Sequence, residues 1–520
     1  MSDKPIFTYQ TRIDATPEQD EVLSAYAKLY GRIERSLFAA VRAGKDISKL
    51  KSEYLKRFGI TARQYNAIAI NLKGKIASIK KRRPGLIAEL KTKIKKARKI
   101  VANLKKKAFG SNKLHQKKRR LHNLERRLQV LERDQAEDAV RICFGGKKLF
   151  RAQFALEANG YASVDEWRAD WQQARSREFF VVGSTDETAG CQGCVAAMQP
   201  DGAISLQLRL PNAVGKYVCF PDLRFAYGQE VIEQALRTGT AINYRFRRDG
   251  KGWRVFISTA YQAPQLITSR LAGAIGVDIN ADHLATAEID WFGNLVGTKK
   301  IDCVTYGKST EQRKAVIGDA VKQVVDLAEA THKPVVIERL DFAKRKAEIE
   351  KESASYARLI SAFAYSQTQQ TLRAACCRAG VEVISINPAY TSTIGAVNFA
   401  SRYGISVHQG AALAVARRGL GFSERPTVRI GIVPVGNGGH VTFPLPVRNR
   451  GKHVWTFWSG VRRKLRAAHA AHIRSGGLRA GPAPLRQNPA LGATWMLPAK
   501  FRQANRSQNC SADVIDDIPW

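Results

Sequence analysis

Ala274-Ile275-Gly276-Val277-Asp278-Ile279-Asn280 is the stretch on which the fold turns: an apolar strand with one carboxylate near its end. Downstream, His283–Asp290, the turn residues Gly293-Asn294 and Leu295-Val296-Gly297 read as strand, turn and strand. Between about Thr310 and Thr331 an amphipathic helix is expected, with Val316, Ala320, Val324 and Leu327 on one stripe. Pro334-Val335-Val336-Ile337-Glu338-Arg339-Leu340 follows as a buried-type strand that closes on a second carboxylate. A helix over about Tyr356–Ala379, a strand at Val381–Ile386 and a helix starting near Val407 and carrying His408 complete the pattern.

That order is β-meander, α, β, α, β, α, which predicts a mixed α/β domain whose neighbouring strand ends converge. Asp278 and Glu338 are then expected at one sheet end. Two carboxylates so placed repel each other unless a cation lies between them. Hard oxygen ligands favour Mg²⁺, and a pair of Mg²⁺ ions about 4 Å apart is the usual device for in-line phosphodiester cleavage. Each residue also has a duller reading: Asp278 as a turn residue, Glu338 as the partner of Arg339 or Arg345, His408 as a packing residue.

The bulk composition points the same way. The 520 residues suit about three domains. Against 45 Asp and Glu stand 85 Lys and Arg, a net charge of +40. Such a surface repels itself unless a polyanion neutralises it, and nucleic acid is the natural one. No apolar run reaches the roughly 20 residues of a membrane-spanning helix, so no membrane partner is expected. Met1-Ser2-Asp3-Lys4-Pro5 lacks the apolar core of a leader, and a cytoplasmic location with reduced thiols is expected. Of eight cysteines only Cys191 and Cys194 have metal-ligand spacing, and no second pair exists to complete a zinc ribbon.

Upstream, residues 1–20 contain a strand, Ile6–Ile13, and Thr16 with Pro17 reads as a helix start. Residues 21–145 read as helical. Leu90, Ile94, Ala97, Val101 and Leu104, then Leu121, Leu124, Leu128 and Leu131, repeat by threes and fours about the turn Ala108–Asn112. This predicts an antiparallel helical hairpin. Its outer faces carry Lys95, Lys96, Arg98, Lys99, Lys105, Lys106, Lys117, Lys118, Arg119, Arg120, Arg126 and Arg127, with almost no acid after Glu89 in the first helix. Solvated helices normally mix signs, so phosphate binding is the better reading. Residues 146–270 turn to strands that alternate apolar residues with Arg and Tyr, which predicts a small β-barrel with a basic face. Residues 423–474 are mixed. They hold His453-Val454-Trp455-Thr456-Phe457-Trp458 and then Arg462-Arg463-Lys464, whose tryptophans read as packing residues. Residues 475–520, rich in Gly, Pro, Ala and Arg, read as a flexible tail.

Gly276–Asn280, Val336–Leu340 and Asn387-Pro388-Ala389-Tyr390-Thr391-Ser392 resemble the three RuvC segments of the TnpB family, transposon-encoded RNA-guided nucleases related to the type V CRISPR effectors. The likeness is densest over residues 271–422. It implies a multidomain α+β protein: a wedge barrel (1–20 with 146–270) split by a helical recognition domain (21–145), then an RNase H-like RuvC domain (271–422), a target-binding segment (423–474) and a tail. It further implies a guide RNA, single- and double-stranded DNA as target, and Mg²⁺ held by Asp278, Glu338 and a third acid. That acid precedes a small-residue run, here Ala411–Arg418, and its place is taken by His408, whose imidazole can also bind a divalent metal, so Asp278, Glu338 and His408 are the expected metal-binding and catalytic residues. The family's four-cysteine ribbon is also missing, since Thr393–Gly404 contains no cysteine. Tyr390, Thr391, Ser392, Arg417 and Arg418 are further candidate nucleic-acid contacts. The leading expectation is an RNA-guided DNA endonuclease, and the alternative a guided binder that silences by occupancy. A junction resolvase or transposase is disfavoured by the large region before residue 271, and a purely structural RNA-binding protein by the paired carboxylates.

Overall fold

The computed structural model describes residues 5–339, 365–426, 428–435, 439–449 and 451–474. Leu340, Arg345, the first part of the helix expected from Tyr356, the tail 475–520 and Cys510 lie outside the described residues.

The amino-terminal half is helical with two sheets. Thr16 caps the helix Pro17–Arg42 through a capping box with Gln19, and Pro17 fills its first turn. Helices Ala62–Lys107 and Asn112–Ala136 form the expected hairpin about residues 108–111. Ile87, Leu90, Ile94 and Val101 are buried along its seam. Leu114 of the second helix is buried too, while Leu121, Leu124, Leu128 and Leu131 stay half-buried, because two helices alone cover only one stripe of each other.

β1 (Ile6–Ile13), β2 (Glu178–Val181), β6 (Ile242–Asp249) and β7 (Gly252–Ala260) form an antiparallel sheet in the order β1-β7-β6-β2. β3 (Cys194–Met198), β4 (Ile204–Arg209) and β5 (Tyr217–Leu223) form a second, three-stranded one. The barrel expected from the alternating pattern is therefore corrected: among the described residues neither sheet closes. Instead the two sheets share one apolar core with the helices, in which Phe220 of β5 meets Phe246 of β6 with ring centroids 6.5 Å apart. Burial is achieved by packing, so no hydrogen-bonded closure is required. Cys191 and Cys194 both lie in that core as free thiols.

The second half holds a five-stranded mixed sheet ordered β10-β9-β8-β11-β12. Its strands are β8 (Ala274–Ile279), β9 (His283–Ile289), β10 (Leu295–Asp302), β11 (Val335–Glu338) and β12 (Val383–Ile386). The first three form an antiparallel meander, while β11 runs parallel to β8 and to β12. Helix Thr310–Thr331 and helix Tyr365–Arg378 pack on one face, and helix Val407–Gly419 packs on the other. Beyond it, the hairpin β13 (Ile430–Pro434) and β14 (His440–Pro444) and the helix Val454–Arg474 join the same core. Among the described residues no helix is long and apolar enough to cross a membrane.

Candidate active site

β8 and β11 are in register with Val277 opposite Ile337, so Asp278 and Glu338 lie one residue further along each strand. Strand alternation sorts the faces. Ile275, Val277, Ile279, Val335 and Ile337 enter the core beneath helix Thr310–Thr331, whereas Ala274 and Val336 enter the core of helix Val407–Gly419. Gly276, Asp278 and Glu338 share the parity of that second set. Gly276 permits the helix to lie directly on the strand, since a Cβ there would stand 2.0 Å from the Ala412 carbonyl oxygen. Ser406 caps the helix in a box with Gln409 and so fixes where its first turn begins, above the end of β8.

That turn brings His408 to Asp278, with Nδ1 3.2 Å from Oδ2. The Asp278 side chain is 13% exposed and that of His408 46%. Asn280 donates from Nδ2 to the same Oδ2 at 3.0 Å, and its Nδ2 also lies 3.4 Å from Nε2 of His283. His283 is buried, with Nδ1 2.7 Å from Oδ1 of Asp282. Its ring meets His408 edge-on at 5.1 Å. Burial pushes the Asp282 carboxyl upward, but the hydrogen bond and charge of His283 outweigh it and hold that carboxyl below its ordinary value. Sequence reasoning does not single out Asn280, Asp282 and His283 as site residues. They occupy the β8–β9 turn and its edge, which reads as a loop, and the only signal there is a histidine preceded by two short polar side chains.

Glu338 is buried. Its Oε1 accepts the Thr391 hydroxyl at 2.5 Å, and its main-chain carbonyl accepts Gln369 Nε2 at 2.7 Å. Thr391 reaches it because Tyr390 takes a left-handed backbone, φ 63°, and opens the short helix Thr391–Ile394; Ser392 faces solvent. Arg418 donates to the carbonyls of Asn387 (2.6 Å) and Ala389 (2.9 Å). Burial lowers its pKa, against which the charges of Glu338 and Glu424 act. Arg417 is engaged inside the fold. It meets Glu424 and the Gly293 carbonyl, each at 2.5 Å, and stacks on Phe422 at 4.8 Å. Gly293 follows the far end of β9, so Arg417 lies at the opposite end of the sheet from Asp278, about 13 Å along its helix from His408.

As arranged in this structure, these residues do not form a Mg²⁺ site. Magnesium demands near-octahedral oxygen coordination. Here Oδ2 of Asp278 faces Asn280 and His408, and Oε1 of Glu338 faces Thr391. The third position offers an imidazole nitrogen. Among the described residues no group of three or more His, Cys, Asp or Glu side chains could hold a metal ion.

Of the candidate phosphate contacts, Lys95, Arg98, Lys99, Lys105, Lys106, Lys118, Arg119, Arg120, Arg126 and Arg127 are exposed on the helical hairpin, and Lys96 and Lys117 are half-buried. Arg98 is paired across it with Glu125 at 2.7 Å.

No protein-family model matches the sequence, and no curated protein matches it. Among solved structures, the chain is similar to Thermus thermophilus RuvC in complex with a Holliday junction substrate, at 15% identity and a TM-score of 0.20, over 28% of this chain and 88% of that one. It is similar to a CRISPR-Cas12f ternary complex at 11% identity and a TM-score of 0.21, over 79% of this chain and 98% of that one. The Cas12i1–crRNA binary complex matches at 11% identity and a TM-score of 0.21, over 83% and 57%. Likenesses at such TM-scores carry no functional argument.

Proposed function

We propose that this chain is an RNA-guided DNA-targeting protein with an RNase H-like RuvC-type domain, and that it holds its target without cutting it. The observation that carries the reading is the Asp278–His408 contact at 3.2 Å, with an imidazole where a third carboxylate would complete a cation site. Two carboxylates at one sheet end create the repulsion that elsewhere calls in a metal. In this chain Thr391 hydrogen-bonds one, an imidazole faces the other, and the Arg418 guanidinium acts on Glu338 from a partly buried position. Each carboxylate thus already has a protein partner. The basic helical hairpin would hold the guide RNA through phosphate contacts, guide–target pairing would supply sequence specificity, and occupancy of the site would block transcription.

A second reading, Mg²⁺-dependent cleavage, is favoured by one feature: Asp278 and Glu338 stand at neighbouring register positions on the same face. One experiment separates them. The protein is purified with RNA expressed from its own locus, the bound RNA is sequenced, and the complex is incubated with matched duplex and Mg²⁺, scoring binding and cutting separately. A discrete RNA with tight binding and intact DNA is expected. Cuts that disappear in Asp278→Ala would overturn the silent reading in favour of the nuclease. Absence of any defined RNA would overturn guidance itself.

A further inference from the structure

Between Arg425 and Arg474 the chain carries ten lysines and arginines and no acidic residue; the next acid after Glu424 is Asp513. Charge of one sign over so long a segment is unusual, because solvated surfaces normally interleave signs. The helix Val454–Arg474 organises it. Phe457, Trp458 and Val461 are buried in the same apolar core as Val433 and Phe443 of the β13–β14 hairpin and Val397 and Phe399, and the helix packs against β14. At 100° per residue the mean direction of these three anchors and that of Trp455, Arg462 and Arg466 differ by about 110°. The burial pattern agrees: Trp458 is 1% exposed and Trp455 41%, and Arg462, Arg463 and Arg466 are exposed. Among the described residues no acidic side chain pairs with these three arginines. Trp458 also donates from Nε1 to the Glu424 carbonyl at 3.3 Å, which fixes the helix rotation.

The two neighbouring tryptophans therefore have different roles. One is packed; the other is presented to solvent at the start of a row of arginines, of which Arg462 and Arg466 stand about one helical turn apart, roughly 6 Å. A flat aromatic beside a file of guanidinium groups suits a strand whose bases are unpaired, since the base face is open to stacking and the phosphates track the charges. A duplex hides its base faces. The surface also adjoins the candidate site, because the short helix that sends Thr391 to Glu338 packs against this same helix.

We infer that the exposed stripe of helix Val454–Arg474 is a single-strand DNA surface, with Trp455 stacking on a base and Arg462, Arg463 and Arg466 on successive phosphates. The identification of the strand as DNA rests on the guided-targeting reading above, in which RNA pairing frees a DNA strand.

The test uses the full chain and fluorescence anisotropy with a labelled 20-nucleotide DNA strand, the RNA strand of the same sequence and the matching DNA duplex, each across a salt series. Trp455→Ala is expected to weaken single-strand DNA binding about fivefold or more while leaving the salt slope unchanged. Arg462→Ala with Arg466→Ala is expected to lower the slope of log K against log salt by about 1.4, two phosphate contacts' worth. All three side chains are exposed, so thermal melting should match the wild type. Single-strand binding that neither variant alters would overturn the surface. An equal loss on the duplex, or a loss confined to RNA, would overturn its assignment to single-stranded DNA. Whether a discrete RNA co-purifies is scored separately, so guidance can fail while this surface stands, and the reverse.

Discussion

Gly276→Ala is the sharpest test of how the candidate site is held. A methyl at this position would stand 2.0 Å from the Ala412 carbonyl oxygen, 2.6 Å from the Ala416 nitrogen and 2.9 Å from the Ala416 Cβ, where ordinary contact begins near 3.4 Å. The nearest obstacles are helix backbone, which has no rotamer to change. The helix Val407–Gly419 must therefore lift by roughly 1.4 Å at that point, the difference between the two distances. Ala411–Ala416 are all essentially fully buried, so lifting opens gaps along the whole contact. Overpacking of this kind costs about 1–3 kcal/mol, and the upper half of that range is expected because the backbone must yield. At roughly 2–4 °C per kcal/mol for a domain of this size, the calorimetric transition of the second half should fall by about 4–12 °C. Gly318→Ala is the matched control. It lies inside helix Thr310–Thr331 with nothing within 4 Å of a new Cβ, and the same substitution there should stabilise by about 0.5–1 kcal/mol. If Gly276→Ala melts with the wild type, or if both substitutions act with one sign, then the close seating of helix on strand, and with it the His408–Asp278 approach, is wrong.

Reversing charge on the helical hairpin, with Lys99→Glu, Lys106→Glu and Arg119→Glu together, should lower the salt slope of RNA binding by about 2 and weaken binding across unrelated sequences, measured by filter binding over a salt series. Asp20→Ala should cost about 1–3 kcal/mol in urea denaturation, since Asp20 accepts Trp253 Nε1 at 3.0 Å and pairs with Arg248 at 2.9 Å. Burial raises the Cys191 thiol to about 11 and also pushes Cys194 well above its ordinary value. At pH 8 a thiol reagent should therefore label exposed Cys219 and spare both until the chain unfolds, as read by peptide mass spectrometry. The same raised values make a sign prediction. The unfolded thiols ionise near pH 9 while the folded ones stay protonated, so this share of stability is complete below pH 9 and is lost as pH rises through about 11. The urea midpoint should drop between those values, and a midpoint that rises would refute the burial.

The parallel core of the second half is legible in the sequence because Ala274–Val277 and Pro334–Ile337 are apolar without interruption, a pattern few other environments tolerate. The helical hairpin is legible because its leucines repeat by threes and fours. Closure of the first sheets is not. Alternation along β6 and β7 states which side chains face a core, and that core can be a second sheet as readily as the inside of a barrel. Strands β3 and β5 and the helix Gln229–Arg237 also escape a reading of the sequence, each for its own reason. β3 is short and carries Ala196 and Ala197, a residue type depleted in strands. β5 carries Pro221, which argues against a strand except at an edge, and an edge is where β5 lies. The helix is only nine residues long and opens on Gly228 with no side-chain cap to announce it.

At the candidate site, Asp278, Glu338 and His408 can be picked out because each ends or begins a regular element. Asn280, Asp282 and His283 cannot, because their roles depend on a turn whose geometry the residue types leave open. The two tryptophans of the Val454–Arg474 helix show the same limit at finer grain. As residue types they are identical, and their different fates follow only from which stripe of the helix turns toward the core that holds Val433 and Phe443.

The charge of the molecule and the chemistry of its pocket act together. A phosphate that approaches two bare carboxylates is repelled, and a divalent cation both removes that repulsion and activates the phosphodiester. Replacing the cation with fixed protein groups can do the first without the second. The Thr391 hydroxyl on Glu338, the Arg418 guanidinium near it and the His408 imidazole on Asp278 reduce the field that a backbone would meet. On the reading proposed above, a net charge of +40 would draw the polyanion in, and a pocket of this kind would lower the cost of holding nucleic acid without lowering the barrier to breaking it. His408→Asp reverses this compensation: it removes an imidazole contact and adds a third carboxylate. Binding in the absence of divalent cations should then weaken relative to the wild type, and Mg²⁺ should restore it, which gel-shift titrations with and without EDTA would read. Equal binding by the two proteins under both conditions would mean that the pocket's charge has no part in holding the target.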